Sequence, residues 1–313
     1  MELIRGLHNL QPRHRGCVAT IGNFDGVHLG HQAVLGQLAE KADELGLPAT
    51  VITFEPQPQE YFAPERAPSR LTKFREKLQV LRRFSVERLL CLSFNRRLAD
   101  MSAAEFIQRV LVEGLGIRYL VVGDDFRFGQ GRAGDFATLQ AVGQRQGFDV
   151  VHMHTFEVAG QRVSSTRIRE ALTAGAMQQA AQLLGRDYRM SGRVAHGEKL
   201  GRQLGYPTAN IYLHRKVSPL HGIFVVEVFG LVGEPLRGVA SLGTRPTVNG
   251  TRVLLEVFLF DFNNDIYGEH IQVSFLHKLR DELRFDSLEA LKHKIQQDVD
   301  DAQAFFAAQR ALA

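Results

Sequence analysis

From residue 17 to about residue 153 the chain alternates short apolar runs with stretches whose apolar positions recur every three or four residues. CVATIG (17–22), ATVITF (49–54), RLLCL (88–92), YLVVG (119–123) and DVVHM (149–153) are rich in Val, Ile and Leu and predict strands. Between them HQAVLGQLAEKADEL, TKFREKLQVLRRF, SAAEFIQRVLVE and GDFATLQAVGQRQ predict helices. Strands that are apolar on successive residues, rather than on alternate ones, are buried on both faces. With helices between them they predict a parallel α/β sheet. Ligands bind such a sheet outside the carboxyl ends of its strands.

The pattern changes near residue 188. YRMSGRVA, GIFVVEVFG, PLRGVASLG, RVLLEVFLFDF and EHIQVSFL predict strands, separated by turn clusters such as LVGEP, TVNGT and FNND. Helical spacing returns at 287–310, with Ser287 or Asp286 as its cap. This half predicts an antiparallel barrel closed by a C-terminal helix. The expected organisation is therefore α/β plus β, with domains 1–186 and 187–313 meeting at Gly185–Asp187. No repeat or low-complexity segment is apparent.

A chain of 313 residues suits two cores better than one. The net charge of +4 comes without any block of like charge, and the arginines are scattered and recur near glycines. That distribution fits small anionic ligands at least as well as nucleic acid. No apolar run is long enough to span a bilayer, and MELIRGLHNLQPRHRG lacks the core of a secretory signal. Cys17 and Cys91, both in apolar runs, read as buried free thiols in a reducing cytoplasm.

The candidate chemistry starts at TIGNFDGVHLGH (20–31). Gly22 ends a strand and a helix starts near Leu29, so unpaired backbone N–H groups and a positive dipole end suit phosphate there. His28 and His31 are three apart and face one way if the first turn is helical. SSTRIREAL (164–172) places Ser164, Ser165 and Thr166 at a helix start with Arg167 and Arg169 behind; alone it reads as a capped helix. In GDDFRFGQGRAGD (123–135) the GQGRAG match to a dinucleotide fingerprint is weak, because Asp124 to Phe128 separate it from the strand. It reads as a mobile loop over a nucleotide.

In the second half, GRVAHGEKLGRQLGYPTANI (192–211) falls one residue short of a P-loop. Gly197, Gly201 and Gly205, with Lys199 and Arg202 between them, still suit a flexible phosphate cradle. Thr208 and Asn210 offer neutral oxygens two residues apart, close enough in an extended chain to ligate one hard cation. Glu256 is an acid within the apolar strand LLEVFLF; either it is solvated on the outer face or it has a task.

NFDGVHLGH resembles the H-x-G-H motif of nucleotidyltransferases, which transfer a nucleotide onto a phosphate and release pyrophosphate, and SSTRIREAL is similar to their second, basic motif. GDDFRFG, TFEPQP (53–58) and RLT (70–72) resemble the flavin-adenylating branch. GRVAHGEKLGRQLGYPTANI, SLGTRPTVNG and LEVFLFDFNNDIYGEHIQVSF resemble riboflavin kinase. Almost the whole chain is thus similar to the bifunctional bacterial riboflavin kinase/FAD synthetase family.

The resemblance implies a Rossmann-like nucleotidyltransferase domain and a six-stranded antiparallel kinase barrel with a terminal helix. It implies phosphorylation of riboflavin to FMN by ATP, then adenylylation of FMN to FAD. Glu256 matches the family's general base, and Thr208 and Asn210 its Mg²⁺ ligands. His28, His31 and Arg169 are expected at the transferring phosphates. Gly22, Asn23, Phe24, Asp25, Gly30, Ser164, Ser165, Thr166 and Arg167, with Gly197, Lys199, Gly201 and Gly205, are expected around ATP.

Asp125, Phe126 and Phe128 are expected at the flavin, although the family often has Asn where Asp125 stands. The implied partners are small molecules, with no nucleic acid or membrane, in a monomer or weak homo-oligomer. Three other readings are weighed against this one. They are a nucleotidyltransferase for another phosphorylated acceptor, a tRNA-binding synthetase-like protein, and a non-catalytic flavin binder.

Overall fold

The computed structural model describes residues 1–153, 156–197, 201, 204–215, 217–247 and 250–312, without the side chains of 245–252 and 312. Two compact units emerge: Met1–Pro68 with Thr72–Ser164, and Ser69–Leu71 with Ser165–Ala313.

The first unit is built on six parallel strands, β1 (Glu2–Arg5), β2 (Cys17–Ile21), β3 (Ala49–Glu55), β4 (Arg88–Ser93), β5 (Ile117–Gly123) and β6 (Asp149–Met153), in the order β1-β4-β3-β2-β5-β6. Its helices are α1 (Leu29–Leu45), α2 (Pro58–Phe62), α3 (Phe74–Leu81), α4 (Arg96–Ala99), α5 (Ala103–Phe106) and α6 (Phe136–Gln146). α5 runs on as wider π turns over Ile107–Leu115. A small hairpin of β7 (Glu157–Val158) and β8 (Gln161–Arg162) completes the unit.

The unbroken apolar strands have the expected cause. Cys17, Ala19 and Ile21 enter one core cluster, with the π-helical residues Ile107, Val110 and Leu111 and with Leu139 of α6. Val18 enters the other, with Leu35 and Leu38 of α1 and Leu81 of α3. Each Val, Leu or Ile among them contributes roughly 1.5–3 kcal/mol by burial. From β2 the chain passes through α1 to β3 on one side of the sheet order; from β5 it passes through α6 to β6 on the other. The crevice between the carboxyl ends of β2 and β5 is therefore a topological switch point, the place where open α/β sheets bind ligands.

In the second unit α7 (Ser165–Thr173) and α8 (Met177–Leu184) precede β9 (Tyr188–Ala195), β10 (Thr208–Tyr212), β11 (Gly222–Phe229), β12 (Leu236–Thr247), β13 (Gly250–Leu259) and β14 (His270–Arg280). The strands close an antiparallel barrel in the order β10-β13-β12-β11-β14-β9, and α9 (Leu288–Leu312) follows. Ile211, Leu242 and Leu255 lie opposite one another, all at 0% exposure, and belong to the buried interior face. α9 covers part of the outer face, where Phe306 and Ala302 pack with Val225, Val239 and Phe260. Ser287 accepts from the N–H of Ala290 and caps α9, as predicted.

The sequence pattern did not anticipate β1, β10, α2, α4, α8 or the β7–β8 hairpin. The change from helix to strand does fall at Gly185–Asp187, after α8 and before β9. The compact units divide earlier, at Ser164/Ser165, and place α7 and α8 with the barrel. Cys17 and Cys91 are buried free thiols.

Candidate active sites

At the end of β2 the N–H of Gly22 donates to the carbonyl of Ile52 (3.0 Å), which carries the chain to the sheet edge. The next turn takes left-handed backbone at Phe24 (φ 48°), Gly26 (φ 84°) and Val27 (φ 42°). For phenylalanine and β-branched valine that conformation costs about 1–3 kcal/mol each and needs outside restraint. Asp25, 3% exposed, supplies part of it by accepting from Thr72 N (3.0 Å) and Thr72 Oγ1 (3.3 Å). Thr72 Oγ1 in turn accepts from Gly26 N (3.0 Å). Lys77 of α3, 0% exposed, donates from Nζ to the carbonyl of Asn23 (2.6 Å).

The turn delivers His28 to the N-cap of α1, where its Nδ1 accepts from the N–H of His31 (3.3 Å). That bond places the proton of a neutral ring on Nε2, the atom suited to donate to a phosphate oxygen. The rings of His28 and His31 stack with centroids 3.7 Å apart. The carbonyl of Val163, next to Ser164, lies 3.6 Å from where a side chain on Gly30 would begin. The first unit thus brings Gly22, Asn23, His28, Gly30, His31 and the approach to Ser164 together beside the switch point. Phe24 (2% exposed) and Asp25 turn their side chains into the protein, so what they can offer a phosphate is backbone.

The GDDFRFG segment leaves β5, across the switch point from the histidine turn. Asp125 is exposed and pairs with Arg162 of the hairpin (2.6 Å). Phe126 is half-buried and stacks on Phe128 (centroids 5.5 Å apart), whereas Phe128 is 7% exposed and packs in the core. Within this segment Phe128 and Gly134 exchange backbone hydrogen bonds (3.1 and 2.9 Å) and close a bridged turn. Its glycines open only a single 3₁₀ turn (Gln130–Arg132), and the α-helix α6 starts later under an Asp135 cap.

Ser165, Thr166, Arg167 and Arg169 lie on α7 in the second unit, and Arg169 Nε donates to the carbonyl of Ser69 (2.6 Å). Sequence reasoning passed over Lys77. Its signal was available: Phe74, Lys77, Leu78 and Leu81 share one helical face, so a cation stands where an apolar residue is expected.

The barrel carries the other site. Asn210 lies opposite Glu256, which lies opposite Ser241, and all three belong to the outward-facing rows. Glu256 is therefore outward and half-buried. Thr208 and Asn210, two apart on β10, share that face. A Cβ on Gly197 would sit 2.4 Å from the Asn210 carboxamide, and one on Gly201 2.4 Å from the Tyr206 carbonyl and 3.2 Å from Thr208 Oγ1. The glycine segment and the two candidate ligands, separate features in the sequence, are thus in direct contact. Gly205 (φ 92°) turns the chain back toward β10. Lys199 and Arg202 lie outside the described residues. Tyr206 reaches α9, donating its hydroxyl to Gln296 Oε1.

Asn210 Nδ2 donates to the carbonyl of Thr208 (3.3 Å), which directs the amide nitrogen along the strand and leaves a neutral oxygen as the donor toward a cation. Among the described residues no group of three or more His, Cys, Asp or Glu could hold a metal. Two neutral oxygens fit an ion that takes its remaining ligands from water and phosphate, as Mg²⁺ does.

A parallel sheet with a histidine-bearing helix start at its switch point, and a barrel with an acid beside two oxygen donors that lie against Gly197 and Gly201, together fit a two-part nucleotide-dependent transferase. The FAD synthetase family matches residues 10–167 and the riboflavin kinase family residues 184–306. The chain belongs to the bifunctional riboflavin kinase/FMN adenylyltransferase family. Bifunctional riboflavin kinase/FMN adenylyltransferases of Pseudomonas fluorescens, Haemophilus influenzae and Escherichia coli are 54%, 51% and 52% identical to it, each over 98% of this chain and 98–99% of the relative.

The crystal structure of a macrolide-efflux protein from Streptococcus pneumoniae superposes with a TM-score of 0.81 at 32% identity. The match covers 95% of this chain and 97% of that one. Among the described residues here, no helix is long and apolar enough to cross a membrane.

Proposed function

We infer that this chain phosphorylates riboflavin to FMN in its barrel domain (187–313) and adenylylates FMN to FAD in its parallel-sheet domain (1–186). The observation that carries this reading is the register of Asn210 against Glu256, which sets an acid beside two oxygen donors that lie against Gly197 and Gly201. In the barrel Glu256 accepts the proton of the ribityl 5′-hydroxyl as that oxygen attacks the γ-phosphorus of ATP. The bond to the bridging oxygen breaks and ADP leaves. Thr208 and Asn210 would hold Mg²⁺, which when bound offsets charge on the phosphates. Phosphoryl transfer needs mainly positioning and charge stabilisation, which the glycine segment and these side chains supply.

In the parallel-sheet domain a phosphate oxygen of FMN attacks the α-phosphorus of a second ATP and pyrophosphate leaves. The nucleophile is already anionic and needs no base. His28 and His31 donate to the phosphates, Gly30 leaves room beside them, and Ser164 follows the Val163 carbonyl that lies against Gly30. Phe126 lies along the flavin. Preorganised donors of this kind are worth several kcal/mol in the transition state.

Mass-resolved products from riboflavin, ATP and Mg²⁺ test the reading: FMN should accumulate first and FAD should follow. Transfer of AMP to another phosphorylated acceptor, with FMN refused, would instead favour a nucleotidyltransferase of different specificity.

A further inference from the structure

Lys77 is a cation at 0% exposure, in the middle of a helix face that is otherwise apolar. Burying an ammonium costs several kcal/mol unless good partners offset it, and a methionine would fill similar space without that cost. Its Nζ holds the carbonyl of Asn23 at 2.6 Å, and Thr53 Oγ1 approaches the same carbonyl at 3.4 Å. Asn23 is the residue before Phe24, where the left-handed backbone starts. The far side of the turn is tied by Asp25 and Gly26 to Thr72. Thr72 lies just ahead of α3, the helix that bears Lys77. The turn from Asn23 to Gly26 is therefore held at two points by one short segment, and His28 follows two residues later.

We propose that Lys77 is a positioning residue for adenylyl transfer: its ammonium fixes the Asn23 carbonyl and so sets the turn that aims His28 and His31. Lys77 acts through this backbone and is not assigned to the reacting phosphates. The inference rests on the reading that the histidine turn is the adenylylation site.

The test uses the full-length chain with Lys77→Ala and Lys77→Met, measuring riboflavin-to-FMN and FMN-to-FAD conversion separately. Misplacing the histidines should lower kcat for FAD formation about 100-fold. KM for ATP and for FMN should stay within about threefold, and FMN formation should be unchanged. Lys77→Met keeps the methylenes and should show the same loss of rate while melting close to the parent. Propylammonium added to Lys77→Ala should restore FAD formation saturably, by about tenfold or more against a shift of ~1.4 kcal/mol, and propanol should not. Full FAD-forming activity in Lys77→Met, or equal rescue by propanol, would overturn the proposal. The parent reading fails separately: a folded His28→Ala/His31→Ala protein that still makes FAD removes the site itself, whatever Lys77 does.

Discussion

Asn210 and Glu256 stand directly opposite each other on β10 and β13, so their side chains leave the barrel wall on the same, outward face. Glu256→Gln keeps the shape and removes the proposed base. FMN formation should fall by about 10²–10⁴-fold, the usual worth of a positioned general base, while FAD formation from supplied FMN is unchanged. Separate assays of the two steps check this; equal loss in both would remove Glu256 from the kinase step.

Gly197 lies against the Asn210 carboxamide with no room for a methyl group. Gly197→Ala must therefore displace either the glycine segment or Asn210. Riboflavin phosphorylation should drop about 10-fold or more, equivalent to ~1.4 kcal/mol of lost transition-state stabilisation. Titration with Mg²⁺ should show a higher half-saturating concentration than in the parent protein.

His28 caps α1 and, on the proposed reading, also donates to phosphate. Changing His28 and His31 together to alanine should lower FAD formation about 10²–10³-fold, the loss seen when preorganised donors to developing charge are removed. Riboflavin phosphorylation should be spared, and circular dichroism should show α1 retained.

Arg280 at the end of β14 makes a two-pronged ion pair with Asp298 of α9, Nε to Oδ1 at 2.8 Å and Nη2 to Oδ2 at 2.5 Å. Asp298 is 3% exposed, so removing Arg280 strands a buried charge. Arg280→Met should destabilise the barrel by about 3–5 kcal/mol. Arg280→Met with Asp298→Leu should recover most of that loss. Thermal unfolding followed through the barrel's own transition distinguishes the two outcomes.

Burial pushes the Cys17 thiol up to about 11, with neighbouring Thr50 and the charge of Arg88 pulling the other way. Its ordinary value is 9.0, so the folded protein favours the neutral thiol. The associated stability is intact below pH 9 and is lost as pH rises through about 11. Urea unfolding of the parent and of Cys17→Ala, compared at pH 8 and pH 10, should show the parent losing more. In the native state at pH 8 iodoacetamide should leave Cys17 unmodified.

The parallel sheet was legible because both of its faces are buried. Val18 packs toward one layer while Cys17 and Ala19 pack toward the other, so every position of β2 had to be apolar or small. β10 was not legible: Thr208, Ala209 and Asn210 carry no apolar alternation, and the segment is a strand because β13 and β9 flank it. α7 and α8 show a similar limit. Their apolar faces were readable in principle, but nothing local says that they cluster with the barrel and not with the sheet.

The candidate sites divide the same way. Glycine, histidine and the Thr-Ala-Asn triplet marked anion and cation chemistry from their types and spacing. The contact of Gly197 with Asn210, the outward direction of Glu256 and the grip of Lys77 on Asn23 join residues distant in the chain.

By itself the sequence determined those helices and strands whose apolar positions recur locally, and where candidate phosphate-binding residues lie, because those depend on neighbours one to four residues away. Only the tertiary structure decided which side chains share a face and which loops meet. Those relationships follow from how whole strands pair and whole faces bury, and no short-range period records them.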